Sequence, residues 1–422
     1  MRIFADAGTK LRNIGFSKSF VYGFPLFVIS FFTYFIFTRL SPIPEQQSDA
    51  VGYIVAAKDV AAGIGFTCGE ETLSASRPPL FPAVLAFWFT ITKNMTVQAM
   101  VILQILFQSL GIWVSFILLS RMFSQRVSFL GGLFIALNPF LFTELVYILQ
   151  EPMLLLLTTF SAYLTVCWLR DQTYTKAVLV GFFWGIATLG KIVTMHAPLI
   201  FWVMWLLSKL FRKLNWNLSW KKLVVISGIF ILTLTPWTVR NYLQFNKFIL
   251  INDMGTEMHT VFFHSSGIFG KTAGNDYVKN LKQQGLPPKE FRAKIFKYMA
   301  SHPGETLLKI TQNVFSFTNV SREWFGHVAG VSMRWYIWIV PAVLIQFPLY
   351  IGLFAGLLYE RRIEIMFLSL FYLVYWAGYS VCWGIPRYAV PVYPILVALG
   401  LNGWRYLKAR RKIIINNKGE NI

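Results

Sequence analysis

Charged residues are scarce in this chain. Only 14% of its 422 residues are charged, whereas 56% are hydrophobic and the mean hydropathy is positive, at +0.55. A soluble globular domain has about 25% charged residues and an apolar share closer to half. The composition therefore excludes an ordinary soluble domain and predicts a membrane protein.

Acidic residues are scarcer than basic ones, 18 against 39, which gives a formal net charge of +21. Such an excess first suggests a nucleic-acid partner, but no dense stripe of Lys and Arg with interleaved aromatics stands apart from the apolar segments. The basic residues lie mostly at the ends of those segments, which is the bias that orients membrane proteins. We therefore expect no nucleic-acid partner.

Cysteine and the common catalytic motifs are also rare or missing. The three cysteines (Cys68, Cys167 and Cys382) have no metal-ligand spacing. A disulfide between Cys68 and Cys382 is conceivable, since both fall on the same side in the topology below, but the spacing favours three separate thiols. The five histidines show no HExxH spacing, and no P-loop, G-x-S-x-G or G-x-G-x-x-G occurs in a usable context.

Apolar segments of about twenty residues recur along the chain, long enough to cross roughly 30 Å of hydrocarbon as helices. Continuous apolar runs, rather than alternation, favour a helix bundle over a closed barrel. Residues 22–37 form a first span rather than a cleaved signal peptide, because the run is long and no Ala-x-Ala site follows it. Ten spans are predicted, at residues 22–37, 97–119, 128–147, 151–169, 176–192, 194–208, 223–240, 335–358, 364–383 and 388–406.

The apolar run at residues 80–92 is too short to cross comfortably, and we interpret it as an interfacial helix. With that choice the basic clusters all fall on the side of the N-terminus, so both termini are expected in the cytoplasm. The predicted fold class is an all-α polytopic membrane protein of about ten transmembrane helices (range about 9–13) with extracytoplasmic juxtamembrane helices. We expect one membrane domain over residues 1–408, with outer loops at 41–96 and 241–333, and a basic cytoplasmic tail at 409–422.

Most carboxylates lie on the predicted outer side, and five of the eighteen lie in the first outer loop. Asp49 there begins a helical run, where the helix dipole favours an anion, although a plain helix cap is the commoner role. Glu45 precedes it by four residues and shares its face if the helix extends that far. Glu144 and Glu151 bracket another outer turn, and two such loops offer oxygen ligands suited to a divalent cation.

Four cations lie at the outer ends of separate apolar segments. They are Arg77, Lys191, Arg240 and Arg387. Each alone fits a snorkelling side chain. Together, beside an acidic loop, they indicate an anionic ligand at the membrane interface, such as a lipid phosphate.

The second large outer loop contains two amphipathic patterns. Residues 289–300 are expected to form a helix with Phe291, Ile295, Phe296 and Met299 on one face, and a second helical pattern follows at residues 305–317. Helices of this kind lie on a bilayer or cap a bundle.

The order of these features resembles the polytopic glycosyltransferases of the C-type fold, and within them the family of the protein O-mannosyltransferases and the lipid A aminoarabinose transferase. The resemblance covers residues 20–405. Its motifs are, in chain order, Asp49 and Tyr53, Arg77-Pro78-Pro79-Leu80, Glu151-Pro152, Leu189-Gly190-Lys191, Pro236-Trp237 with Arg240-Asn241-Tyr242, and Arg387-Tyr388 with Pro391 and Pro394. Two departures stand out: many relatives have Asp-Glu where Ala50 follows Asp49, and often Lys where Arg77 stands.

The resemblance implies an enzyme that moves a sugar from a polyprenyl-phosphate or dolichyl-phosphate donor to a hydroxyl group of a protein, lipid or cell-envelope glycan, outside the cytoplasm. It implies Asp49 as general base, and Arg77, Lys191, Arg240, Arg387 and Tyr53 as ligands of the donor phosphate. Glu151, Glu144 and Glu45 give acidic support. A divalent cation (Mg²⁺ or Mn²⁺) is the one candidate cofactor, and Ala50 puts it in doubt unless Glu45, Glu70 or Glu71 substitutes for the second carboxylate.

Three other functions remain open. A transporter or flippase of an anionic lipid or solute predicts ionisable residues near the middle of the bilayer and broken helices in symmetric halves. A polysaccharide ligase or phospholipid-modifying enzyme shares the same lipid-phosphate chemistry. An inactive member that acts as a scaffold is the third. The sequence specifies neither the sugar nor the acceptor.

Overall fold

The computed structural model of the chain describes residues 18–46, 49–68, 72–211, 214, 216–252, 273–318, 336–382 and 384–419. Regular structure in these ranges is helical throughout, which confirms the predicted all-α fold. The α-helices are α1 (Lys18–Leu40), α2 (Asp49–Ala61), α3 (Leu80–Thr92), α4 (Val97–Ser120), α5 (Gln125–Ala136), α6 (Pro139–Phe142), α7 (Glu151–Asp171), α8 (Tyr174–Gly190), α9 (Ala197–Leu210), α10 (Trp220–Phe245), α11 (Ala273–Gln283), α12 (Pro288–Ser301), α13 (Pro303–Phe317), α14 (Tyr336–Tyr359), α15 (Ile363–Cys382) and α16 (Tyr393–Gly419). Three 3₁₀ segments span Thr143–Val146, Ile192–His196 and Pro386–Val392.

Helices occupy all ten predicted spans, and the short run at 80–92 is the separate helix α3. By length and composition, six segments of the described chain are able to cross a membrane. They are Val21–Leu40, Val97–Ser120, Glu151–Asp171, Ile192–Leu210, Trp220–Phe245 and Ile363–Val381. The molecule is therefore an integral membrane protein.

Several of the predicted spans, including 128–147, 194–208 and 388–406, are not single continuous α-helices. The segment 128–147 is interrupted at Asn138, whose side-chain oxygen accepts a hydrogen bond from the backbone N–H of Phe140 (3.0 Å) just before Pro139 opens α6. The segment 388–406 begins as a 3₁₀ turn, and α16 starts only at Tyr393. Proline lacks the backbone donor that a continuing helix needs, so Pro139 and Pro391 lie where these helices change form.

Helices α14 and α16 pack with their backbones in contact. A Cβ atom on Gly403 would lie 1.7 Å from the carbonyl oxygen of Gly352, and one on Gly352 would lie 2.2 Å from that of Gly400. Close approach at small residues is a common way to associate helices within a membrane. This contact holds α16, and with it the 3₁₀ turn that precedes it, against the bundle.

The bundle has two chemically different ends, separated by α7, whose 21 residues span about 32 Å. At one end Arg170 pairs with Glu364 (3.3 Å) and donates to the carbonyl oxygen of Arg121 (2.7 Å). At the other end lies Glu151, the first residue of α7. Basic positions predicted to share one side thus meet at one end of the bundle, and which end faces the cytoplasm stays a prediction.

Helices α11 to α13 lie outside the predicted spans, and α11 and α12 share a small core that includes Val278, Phe291 and Ile295. The predicted apolar face of α12 is wrong at Phe296, whose side chain is 56% exposed. Neighbouring helical residues point about 100° apart, so Phe296 does not share the direction of Ile295. Met299 packs against the core as expected.

Helix α13 turns a polar face towards the bundle. Its buried polar side chains include Lys309, Gln312, Asn313 and Ser316, and the amide of Asn313 donates to the carbonyl oxygen of Ser380 on α15 (3.0 Å). Apolar side chains, among them Leu307 and Phe315, are exposed on its outer face. This arrangement suits a helix that contacts lipid on one side and a polar interior on the other.

Candidate functional site

Asp49 begins helix α2 and forms two ion pairs. Its Oδ1 lies 2.9 Å from Nη1 of Arg77, and its Oδ2 contacts Nη2 of Arg387. The carboxylate is only 17% exposed. Asp49 is thus held between guanidinium groups that come from residues 28 and 338 positions away in the chain.

Arg77 reaches Asp49 because the loop before α3 folds back over α2. The backbone N–H of Ser74 donates to the carbonyl oxygen of Phe66 (2.7 Å), which closes this loop, and α3 begins at Leu80 after two prolines. The guanidinium lies over the Tyr53 ring, 5.9 Å from its centroid. A Cβ atom on Gly52 would come within 3.0 Å of Nε of Arg77, so glycine leaves room for the arginine.

Arg387 connects Asp49 to a second carboxylate. It lies in the 3₁₀ segment Pro386–Val392, and its Nε is 3.9 Å from Oε1 of Glu151. Glu151 is only 2% exposed, and its Oε2 has no hydrogen-bond partner in the described part of the chain. An arginine with two carboxylates within reach neutralises both of them only in part.

Lys191 completes the cluster. Its Nζ donates to Oε1 of Glu151 at 3.0 Å and lies 3.6 Å from the centroid of the Tyr388 ring and 5.6 Å from that of Tyr379. Lys191 follows the last residue of α8 in extended conformation (φ −159°, ψ 120°), which turns it out of the helix. An ammonium over an aromatic face is stabilised by the ring quadrupole.

These five residues form one ionic cluster, Arg77–Asp49–Arg387–Glu151–Lys191, which we call the rim cluster. It contains three cations and two carboxylates, so one positive charge is in excess within it. Removing charges from water is costly unless they are paired. The excess therefore favours binding of a ligand that carries one negative charge.

The pKa of Asp49 reflects these neighbours. Burial raises the pKa of its carboxyl group, but the guanidinium of Arg387, then that of Arg77, and the ammonium of Lys191 together lower it by more. The pKa therefore lies below its ordinary value, and Asp49 is ionised at neutral pH. Burial, with the charges of Asp49 and Glu151, raises the pKa of the neighbouring Tyr53 well above its ordinary value, so Tyr53 is neutral.

The remaining predicted site residues lie elsewhere or are not described. Arg240 donates to the carbonyl oxygen of Ser74 (3.0 Å) and lies over the ring of Trp237, so it supports the loop that carries Arg77 and makes no ion pair with the rim cluster. Glu45 is exposed and forms no ion pair or hydrogen bond with described residues. It lies before α2, which begins at Asp49, so the helix does not extend far enough for the two carboxylates to share a face. The side chain of Glu144 and the residues Glu70 and Glu71 lie outside the described part, as does the side chain of Cys382.

Two glutamines that the sequence analysis missed position Glu151. Gln46 accepts from the backbone N–H of Ile148 (2.8 Å) and donates to the carbonyl oxygen of Val146 (3.1 Å). Gln104, fully buried in α4, accepts from the N–H of Leu149 (2.7 Å) and donates to the carbonyl oxygen of Tyr147 (2.8 Å). Together they hold the non-helical turn that precedes α7. An amide buried within an apolar span is the one signal that would have indicated Gln104.

A divalent cation does not fit the rim cluster as it is built. The described residues include no group of three His, Cys, Asp or Glu side chains arranged to hold a metal ion. Both carboxylates of the cluster are already paired with Arg or Lys, and a metal ion would have to displace those cations. Ala50, where many relatives carry a second acid, is 1% exposed and faces the apolar core.

Comparisons with known proteins agree with this architecture. The sequence profile of the family described as dolichyl-phosphate-mannose-protein mannosyltransferase matches residues 76–239, a segment that contains Arg77, Glu151 and Lys191. A search of curated proteins found no significant match.

Three solved structures share the fold. ArnT from Cupriavidus metallidurans, bound to undecaprenyl phosphate, superposes with a TM-score of 0.58 at 14% identity, over 89% of this chain and 58% of that one. The oligosaccharyltransferase AglB from Archaeoglobus fulgidus, in complex with an inhibitory peptide and a dolichol-phosphate, superposes with a TM-score of 0.53 at 14% identity, over 93% of this chain and 51% of that one. A second structure of the Archaeoglobus fulgidus oligosaccharyltransferase, in complex with Zn and sulfate, superposes with a TM-score of 0.53 at 13% identity, over 89% of this chain and 48% of that one. The chain thus spans about half the length of the structures that it matches, and it has their fold, that of the C-type glycosyltransferases.

Proposed function

We propose that this chain, which has the C-type glycosyltransferase fold, transfers a sugar from a polyprenyl-phosphate donor to a hydroxyl acceptor at the extracytoplasmic surface of a membrane. The family profile and the shared fold support a membrane-embedded transferase related to polyprenyl-phosphate-dependent enzymes. The donor, the acceptor and the roles below are our proposal.

The observation that carries the proposal is the single positive charge in excess in the rim cluster. A polyprenyl-phosphate sugar is a phosphodiester, which bears one negative charge. Its phosphate lies at the membrane surface while its tail stays in the bilayer, and the rim cluster lies at one end of an apolar helix bundle. Bidentate Arg–phosphate contacts are among the strong charge-assisted hydrogen bonds, and Arg77 and Arg387 each present a guanidinium there.

Asp49 is the base of the proposed reaction. The acceptor hydroxyl attacks the anomeric carbon and gives its proton to Asp49, while the bond from that carbon to the phosphate oxygen breaks. A carboxylate is a weak base, so proton transfer contributes the smaller share of catalysis. Arg77, Arg387 and Lys191, which surround Asp49, stabilise the charge on the departing phosphate and contribute the larger share. Tyr53 supports Arg77 through its ring, and Arg240 supports the loop that carries Arg77.

The transporter alternative is less well supported by the placement of the ionisable residues. Glu151 is the first residue of α7, and Lys191 follows the last residue of α8, so the buried pair lies at helix ends. A carrier of this kind holds its substrate near the middle of the bilayer, at the breaks of discontinuous helices, whereas the Glu151–Lys191 pair lies at one end of the 21-residue helix α7.

The test is an assay that does not depend on the identity of the sugar. Purified protein in nanodiscs receives a panel of polyprenyl-phosphate sugars together with peptide, lipid and glycan acceptors, and release of polyprenyl phosphate is measured. We expect release with one donor class, and a loss of about 10²-fold or more in Asp49→Asn. Glu45→Gln removes a carboxylate from the same loop outside the rim cluster, and it should retain full turnover. Turnover by Asp49→Asn equal to that of Glu45→Gln would refute the assigned base, and absence of release with every donor would refute the function.

A further inference from the structure

One carboxylate occupies both arginines that the donor phosphate needs. Arg77 contacts Oδ1 of Asp49 at 2.9 Å, and Arg387 contacts Oδ2. Carboxylate and phosphate oxygens suit the same guanidinium fork. The base and the leaving group of the proposed reaction therefore compete for the same cations.

The charges of the proposed reaction show how this competition is resolved. Before transfer, Asp49 and the phosphodiester each carry one negative charge. After transfer, Asp49 holds the acceptor proton and is neutral, while the polyprenyl phosphate has become a monoester with a second negative charge. The total negative charge within the rim cluster is unchanged and has moved from the carboxylate to the phosphate.

We propose that Arg387 changes partner during the reaction, leaving Asp49 for the departing phosphate as Asp49 takes up the acceptor proton. The acceptor O–H bond breaks and its proton goes to Oδ2 of Asp49. The acceptor oxygen forms its bond to the anomeric carbon, and the electron pair of the broken carbon–oxygen bond goes to the phosphate. Arg387 thereby couples the base to the leaving group, and this coupling rests on the proposed sugar transfer.

Arg387 is better placed than Arg77 for this exchange because it has a second anchor. Its Nε lies 3.9 Å from Oε1 of Glu151, which in turn accepts a hydrogen bond from Lys191. The guanidinium is able to keep this contact while Nη2 exchanges Asp49 for a phosphate oxygen. Asp49 is surrounded by Arg77 from the loop before α3, Arg387 and Tyr388 from the 3₁₀ turn, Lys191 after α8 and Tyr53 on its own helix, and Glu151 on α7 lies beyond Arg387. Among these groups only Asp49 changes its protonation state in the proposed step.

Binding of the product alone tests the exchange. Undecaprenyl phosphate, the probe, is titrated into purified protein at pH 7 by calorimetry in two buffers of different ionisation enthalpy, which gives the number of protons taken up. A phosphate that attracts Arg387 leaves Asp49 near a like charge, which raises the affinity of Asp49 for a proton. We expect wild-type protein to take up about half a proton or more beyond the value for Asp49→Asn. The same variant should bind the probe about tenfold more tightly.

Two controls keep the outcomes separate. Glu45→Gln removes the same charge outside the rim cluster and should behave as wild type in both measurements. Arg387→Gln removes the guanidinium that is exchanged, so it should bind the probe about tenfold more weakly than wild type, which provides a second measurement if Asp49→Asn does not fold. Equal proton uptake by wild type and Asp49→Asn, or unchanged affinity in Arg387→Gln, would overturn the exchange while leaving the proposed function intact. Failure of the wild-type protein to bind undecaprenyl phosphate would overturn the proposed function itself.

Discussion

Lys191 donates a hydrogen bond to Glu151 at 3.0 Å, although forty residues separate them and both side chains are largely buried, at 12% and 2% exposure. The pair joins the end of α8 to the start of α7. Oε1 of Glu151 also lies 3.9 Å from Nε of Arg387, the arginine that pairs with Asp49. The arrangement of the rim cluster therefore depends on an ion pair that does not include the proposed base.

We expect Glu151→Gln to destabilise the protein by about 3 kcal/mol, because removing one partner leaves the Lys191 ammonium buried without its counter-charge. Replacing both partners, as in Glu151→Leu with Lys191→Met, should restore most of that loss, because neither side chain of the pair is then left as a buried charge without its partner. The measurement is thermal unfolding in detergent, with Glu290→Gln, which removes one partner of an exposed pair with Lys294, as the control. If the double variant unfolded at a temperature as low as that of Glu151→Gln, or lower, the prediction would be contradicted.

The position of Arg77 suggests that the shape of its side chain matters as well as its charge. Arg77→Lys keeps the positive charge but loses the planar fork that contacts Asp49 and covers the Tyr53 ring. We expect the Michaelis constant for the donor to rise by about tenfold or more, which corresponds to a loss of about 1.4 kcal/mol. Arg292→Lys, on the exposed face of α12, is the matched control. Equal Michaelis constants for the donor in Arg77→Lys and Arg292→Lys would show that Arg77 contributes only its charge.

The pH dependence follows from the lowered pKa of Asp49. A carboxyl group whose pKa is depressed in the folded protein contributes stability above its unfolded pKa, about 3.9, and loses that contribution as the pH falls through the folded pKa. The acid limb of kcat/KM that reports Asp49 should therefore lie below about pH 4 in the wild-type enzyme. Because Arg387 is the strongest of the cations that lower the pKa, Arg387→Gln should move this limb to higher pH.

The measurement is kcat/KM against pH with a phosphodiester donor, which has no titration of its own in this range. Asp49→Asn should show no limb of this origin. If the acid limb of kcat/KM lay at the same pH in Arg387→Gln as in the wild-type enzyme, the observed titration would not be that of Asp49.

The sequence indicated the rim cluster because of a physical cost that is visible without a structure. Ionisable side chains at the ends of long apolar segments are expensive unless paired, and Glu151, Lys191 and Arg387 are of this kind. Asp49 was indicated differently, by its position at the start of a helical run in an acidic outer loop. Arg240 has the same pattern, yet its side chain contacts Ser74 and Trp237, because position at a helix end does not specify the direction of a side chain.

The tertiary pairings were beyond the sequence. Contacts such as Arg387 with Asp49 join residues 338 positions apart, and their partners are defined only when α2, α7, α8 and the 3₁₀ turn are assembled. Gln46 was missed because it binds backbone groups of a turn, and nothing in the residue types of that turn indicates a glutamine partner. The all-α fold was easier to predict, because continuous apolar runs leave few alternatives within a bilayer.

The contact of α14 with α16 predicts a strong effect from one methyl group. Gly403→Ala would place Cβ 1.7 Å from the carbonyl oxygen of Gly352, so the two helices must separate. Gly228→Ala adds the same methyl group to α10, where nothing lies within 4 Å, and it should be neutral or stabilising by up to about 1 kcal/mol through helix propensity. We expect Gly403→Ala to lose about 2 kcal/mol or more through strain at the contact. Equal unfolding temperatures for the two variants would show that the helices do not pack as described.

The predicted orientation is tested by the two ends of the bundle. In a background without the three native cysteines, Ile64→Cys introduces a thiol just after α2, the helix that Asp49 begins, and Tyr174→Cys introduces one at the first residue of α8, at the basic end. Both positions are exposed, at 65% and 54%. If the basic end faces the cytoplasm, a membrane-impermeant thiol reagent should label Ile64→Cys in intact cells and Tyr174→Cys only after permeabilisation. The reverse pattern would place the rim cluster in the cytoplasm and would require a donor that is presented on the inner leaflet.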